Sequence, residues 1–233
     1  ITGSLSFNGQ RCTALKIVWV HRSIADVFLE QFSKAVGELK FGMPWEAGVS
    51  LTPLPEPYKI DYLNECIADA EANGAKVINE HGGVSNKSFF YPAVVYPVND
   101  KMKLYHEEQF GPIIPVVPFD DVEEVIQYLI DAKFGQQVSI FSLDAAEVGA
   151  LIDPLVNTVS RVNINSQSQR GPDIFPFTGR KDSAEGTLSI PDAIRSFSIR
   201  SLVAFKMTEE NKKLINGIID SDESNFLSTK FIF

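Results

Sequence analysis

Leu5-Ser-Phe-Asn-Gly-Gln-Arg-Cys-Thr-Ala14, followed at once by the run Leu15–Val20 (LKIVWV) and a helix-like segment from Ser23, is the stretch on which the reading of the fold turns. The run is rich in β-branched and aromatic residues, the composition of a strand. Ser23 with Asp26 three residues on has the spacing of a helix start. Behind it Ile24, Val27, Phe28, Phe32, Val36 and Leu39 recur at intervals of three and four, which predicts one buried helical face. Strand then helix, with a cysteine just ahead of both, is the opening of an α/β unit carrying chemistry at one end.

The same alternation continues outward. Gly and Pro mark a loop over Gly42–Pro57, and Tyr58–Asn73 reads as a helix closed by Gly74. Strands are expected at Ala75–Ile78, Phe89–Tyr96 and Ile113–Phe119, the last interrupted by Pro115. A helix from about Val122 to Ala132, capped by Asp120 or Asp121, precedes a strand at Val138–Leu143, a helix at Ala145–Leu155 and a strand at Val159–Ile164. Asn165–Gly186 is polar and aperiodic, and a loop that long inside a domain is usually functional or disordered. Phe197–Lys206 regains strand character, and a last helix near Glu209–Ile219 precedes a polar tail, Asp220–Phe233, with no assigned role. The whole predicts an α/β fold with a mainly parallel sheet flanked by helices.

Composition limits the partners. The chain has 233 residues and a net charge of −9, which disfavours nucleic acid and anionic membrane. No apolar run reaches the length of a spanning helix and no signal peptide opens the chain. Two cysteines, Cys12 and Cys66, are too few for a disulfide framework and suit a reducing, cytoplasmic setting. The chain opens at Ile1 rather than Met, so a fragment or a processed product is expected. Its fifteen glycines contain neither G-x-G-x-x-G nor a P-loop, so no self-contained dinucleotide or ATP site is expected.

Of the two thiols, Cys66 falls mid-helix beside Ile60, Leu63 and Ile67 and reads as core. Cys12 follows Gly9, which permits close backbone approach, and Arg11, whose charge favours a thiolate. His21, His81 and His106 lack metal-ligand spacing, and no metal is expected. His106 beside Glu107 has no supporting motif for a Cys–His hydrolase.

Three segments then resemble the aldehyde dehydrogenase superfamily, in that family's order. G-Q-R-C-T-A around Cys12 is similar to its active-site cysteine signature. Glu107-Glu108-Gln109-Phe110-Gly111-Pro112 is similar to its E-E-x-F-G-P motif. Val162-Asn163 with Pro176-Phe177-Thr178-Gly179-Arg180-Lys181-Asp182-Ser183 resembles V-N … P-F-G-G-x-K-x-S. The resemblance covers about residues 1–206. It implies that Cys12 is the nucleophile and its backbone N–H part of the oxyanion site. It also implies that Glu108 bonds the nicotinamide ribose of NADP (or NAD) and that Phe110 packs beside the nicotinamide. Without the motif, Glu107-Glu108 reads as a solvated acidic pair and Phe110 as core.

Within the family, Arg170-Gly-Pro-Asp-Ile-Phe-Pro-Phe177 resembles the non-phosphorylating, NADP-dependent glyceraldehyde-3-phosphate dehydrogenase branch. That likeness implies that Arg11 and Arg170 hold the phosphate of a small phosphorylated aldehyde, as Arg forks match phosphate oxygens. A surface pairing of Arg170 with Asp173 is the plainer reading. The family's general-base glutamate lies upstream of the cysteine, and none of the eleven residues before Cys12 is acidic. That base, the oxyanion asparagine and the nucleotide-binding domain are therefore expected to be absent from this chain. The expected organisation is a catalytic domain at 1–195, an oligomerisation strand at 196–207 serving a homo-oligomer, and a C-terminal helix and tail at 208–233. A dehydrogenase for a non-phosphorylated aldehyde and a purely structural, oligomerising fragment stay open as alternatives.

Overall fold

The computed structural model describes residues 1–227. Its chain divides into two compact units, one of Ile1–Gly171 with Phe177–Gly186, the other of Pro172–Pro176 with the residues from Thr187 onward.

The first unit is built on a four-stranded sheet. Its strands are β1 (Val18–His21), β2 (Lys76–Val77), β3 (Ala93–Tyr96) and β4 (Ile113–Phe119), in the order β1-β4-β3-β2. β1 and β3 both run parallel to β4, with Val18 opposite Val116 and Ala93 opposite Ile113, whereas β2 is antiparallel to β3. Helix α1 (Ala25–Gly37) covers one face and α2 (Lys59–Ala72) the other. Side chains of β4 alternate between them: Ile114 and Val116 join Leu29 and Val36 of α1, while Ile113 and Val117 join Leu63 and Cys66 of α2. Burial on both faces is why β3 and β4 read as continuous apolar runs.

A second parallel pair follows: β5 (Gln137–Ile140) beside β6 (Arg161–Ile164), flanked by α3 (Val122–Asp131) and joined through α4 (Ala145–Thr158). Asp121 caps α3 in a capping box with Glu124, and Asp144 caps α4 by accepting from the amides of Ala146 and Glu147. In the second unit, α5 (Ile190–Ser196) and α6 (Glu209–Asp220) start at Ser189 and Thr208, whose hydroxyls accept from the amides of Asp192 and Asn211.

Several elements differ from expectation. The first strand begins at Val18, not Leu15, because 15–17 follow the cysteine turn outside the ladder. The helix predicted from Ser23 opens as a single 3-10 turn, Arg22–Ile24, where the His21 ring rather than Ser23 accepts the first amide. Ile24 and Val27 of the predicted apolar face are exposed, whereas Ala25 and Leu29 are buried. β4 runs unbroken through Pro115, since a proline forfeits only one ladder bond on one side. α4 continues past Leu155 to Thr158 despite Pro154. Phe197–Lys206 is not a strand in the single chain: residues 199–207 lie outside any helix or ladder, and Phe197, Ile199 and Leu202 are almost fully exposed. Apolar alternation suits a strand but cannot supply a pairing partner. Of the expected tail, residues 228–233 lie outside the described residues.

Candidate active site

Two close-approaching backbones hold the site together. Gly9 has φ +70°, and a Cβ there would stand 2.6 Å from the carbonyl oxygen of Gly111. The cysteine turn and the Glu107–Pro112 loop therefore meet through two glycines. Asn8 fixes the other side of the turn, accepting from the amide of Thr52 and donating to its hydroxyl, each at 3.0 Å. Gln10 Nε2 donates to Glu56 at 2.9 Å.

Beyond this junction Cys12 is exposed and lines a cavity of about 380 Å³ together with Glu108, Phe110 and Lys16. Its backbone N–H makes no hydrogen bond among the described residues, which leaves that donor unengaged. Cys66, by contrast, is buried in α2, where desolvation pushes its thiol up.

The structure separates the two adjacent acids. Glu107 accepts from the Tyr62 hydroxyl at 3.2 Å. Glu108 is solvent-exposed and lines the cavity, where its carboxyl makes no protein hydrogen bond among the described residues. Burial raises its pKa above the ordinary 4.5, while Lys16 and Lys59 oppose the rise. Phe110 follows at φ +44°, a backbone setting costing about 1–3 kcal/mol that holds its ring on the lining. The cavity thus offers an ionisable acceptor without a protein hydrogen bond beside an aromatic ring.

Arg11 and Arg170 stand outside that lining. Arg11 donates from Nη2 to the Thr2 carbonyl at 3.4 Å, and its buried Nε has no partner. Arg170 is exposed, with its guanidinium 5.9 Å from the Phe177 ring. Its backbone is gripped from both sides: Arg161 Nη1 donates to the carbonyls of Gln169 and Gly171, each at 3.0 Å. The Gln137 side chain clamps Gln169 as well, giving 2.9 Å to its carbonyl and taking 3.1 Å from its amide.

The Arg180–Ser183 segment is an anchor. Arg180 and Lys181 pair antiparallel with Phe134–Gly135, and Ser183 Oγ accepts from the Gly135 amide at 2.8 Å. Lys181 Nζ caps α3 through the carbonyls of Leu129, Ile130 and Ala132 at 2.6–2.8 Å.

Lys16 and Gln109 carry no signal of their own in the sequence: Lys16 lies inside a strand-like run and Gln109 at the variable position of the Glu107–Pro112 motif. Both are tied into the site by hydrogen bonds no motif spells out.

Residues 1–203 match the model of the aldehyde dehydrogenase family. The chain belongs to that family. As an aldehyde dehydrogenase chain it is 35% identical over 208 residues to an NADP-dependent glyceraldehyde-3-phosphate dehydrogenase of Streptococcus equinus, covering 89% of this chain and 42% of that one. Its fold matches the solved NADP-dependent glyceraldehyde-3-phosphate dehydrogenase of Bacillus halodurans C-125, complexed with NADP, with a TM-score of 0.81. The two are 31% identical, over 89% of this chain and 42% of the other. The succinate-semialdehyde dehydrogenase of Burkholderia pseudomallei, at TM-score 0.76 and 31% identity, is covered over 39% of its length by 81% of this chain. The aldehyde dehydrogenase chain thus spans about two fifths of the relatives it matches.

Proposed function

We propose that this chain supplies the thiol half of an NADP-dependent (or NAD-dependent) aldehyde dehydrogenase, oxidising glyceraldehyde 3-phosphate to 3-phosphoglycerate. The observation carrying it is the placement of exposed Cys12, with an unengaged N–H, on one cavity with Glu108 and Phe110. Cys12 Sγ adds as thiolate to the aldehyde carbon, and the carbonyl electron pair moves onto oxygen. The Cys12 N–H would donate to that oxyanion. A bound nicotinamide supplies the acceptor for the hydride lost from the same carbon. The carbonyl then re-forms as a Cys12 thioester, which water cleaves to the carboxylate and free thiolate. Glu108 would hold a ribose hydroxyl, and Phe110 would wall one side of the ring.

Arg11 and Arg170 give the reading its phosphate. The residues bracketing Arg170 fix its backbone, and the likeness to glyceraldehyde-3-phosphate dehydrogenases favours this substrate. Residues 196–207 would pair with a second copy in a homo-oligomer of the cytoplasm, a role that fits their exposed apolar side chains.

The test uses 4-nitrophenyl acetate, with acylated residues mapped by mass spectrometry. Cys12 should be acylated, Cys66 spared, and Cys12→Ser blank; no acylation of Cys12, or equal acylation of both thiols, would sink the catalytic reading in favour of a structural fragment. Glyceraldehyde 3-phosphate should protect Cys12, and Arg170→Ala should lose the protection. Protection unchanged by that substitution would favour a non-phosphorylated aldehyde, as the likeness to a succinate-semialdehyde dehydrogenase also allows.

A further inference from the structure

Lys16 follows Cys12 by four residues and touches the Glu108 loop twice. Its Nζ donates to the Tyr105 carbonyl at 2.7 Å and the Tyr128 hydroxyl at 3.1 Å, with the Leu104 carbonyl at 3.5 Å. Its own carbonyl accepts from Gln109 Nε2 at 3.0 Å, and that amide also donates to Ile113 at 2.8 Å. Leu104 and Tyr105 belong to the short helix Lys103–His106, which leads directly into Glu107 and Glu108. One lysine therefore grips the loop before Glu108 through its side chain and after it through its main chain. The rings of Tyr128 and Phe134 stand 5.8 and 5.9 Å from Nζ, and Trp19 and Tyr105 pack against Tyr128. All three ammonium hydrogens have protein acceptors, so this is an amine built to hold a loop rather than to attack a carbonyl.

We propose that Lys16 is a positioning residue, fixing the place and the charge of Glu108 relative to Cys12. The inference rests on the reading of Glu108 as the cofactor-side acceptor, but its measurement does not need a cofactor. Around Lys16 the charged groups are Glu108 and Glu107, which favour its protonation, and Lys133, which opposes it. Burial outweighs them and pushes the amine down to about 8. The buried hydroxyls of Tyr105 and Tyr128 are pushed up and stay neutral through this range. On Glu108, the charges of Lys16 and Lys59 both resist the upward push of burial. Above about pH 8, then, Glu108 keeps Lys59 and loses Lys16 as a counter-charge.

The experiment follows the Glu108 carboxyl by carbon NMR in the whole chain labelled at glutamate, with the resonance assigned through Glu108→Gln. The wild type should show the carboxyl titration and a second, smaller inflection near pH 8 as Lys16 loses its proton. Lys16→Met should raise the carboxyl midpoint, abolish the second inflection and speed exchange of the Glu107 amide, which donates to the Lys103 carbonyl, by roughly tenfold. Lys16→Arg should keep the wild-type midpoint and the protection but show no inflection, since its charge persists. A folded Lys16→Met chain with an unchanged Glu108 midpoint and unchanged protection would overturn the proposal. Should that variant not fold, absence of the inflection in the wild type overturns it instead. Failure of Cys12 acylation with this coupling intact would count against the enzymatic reading alone.

Discussion

A Cβ on Gly9 would press on the Gly111 carbonyl from a left-handed backbone, so the position has two independent reasons to be glycine. Gly9→Ala should cost about 2 kcal/mol or more, read as a lowered urea midpoint, and should slow acylation of Cys12 by pushing the two loops apart. Glu108 illustrates the opposite trade. Its folded pKa lies above the ordinary 4.5, so between 4.5 and that raised value the folded chain holds more protons than the unfolded one. Stability from this group is therefore full below 4.5 and lost as pH rises through the folded value. Glu108→Gln should raise the urea midpoint at pH 7, with the gain shrinking toward pH 4.5; a variant less stable than wild type at pH 7 would contradict it. A carboxyl kept where it costs stability is more easily understood as a binding group than as a structural one.

At the scale of elements, α3 is held at both ends by groups of different visibility. The Asp121–Glu124 capping box is legible in sequence, because a cap is a local pattern. The Lys181 cap on the far end comes from fifty residues downstream, and no local signal announces it. Lys181→Met should lower stability by about 1 kcal/mol in urea titration, discounted for its exposure, with amides of the last turn of α3 exchanging faster. The same division runs through the fold. β3, β4 and α2 were readable because burial on two faces or one leaves a periodic apolar record. α1 was misread in part, since large residues were counted and Ala25 was not, although Ala25 is the buried one. Cys12, Glu108 and Phe110 were found through motif likeness, and the structure puts them on one cavity. Lys16 escaped because its role lies in contacts to residues about ninety positions away.

For the whole molecule, the question is what covers residues 197–207. Phe197, Ile199 and Leu202 are 94%, 96% and 88% exposed, a run of apolar surface of the kind that marks an interaction site. The segment has strand-like alternation and makes no ladder in the single chain, so its backbone donors and acceptors are offered to a neighbour. A second copy presents the same segment, and pairing of the two across a two-fold axis is the expected outcome. The chain should therefore sediment as a dimer or larger species at micromolar concentration. Ile199→Lys with Leu202→Lys should shift it toward monomer without altering the acylation of Cys12, because that site lies wholly in the first unit. A wild-type chain that sediments as a monomer, or a double variant with unchanged mass, would remove 196–207 from the assembly and leave the catalytic reading untouched.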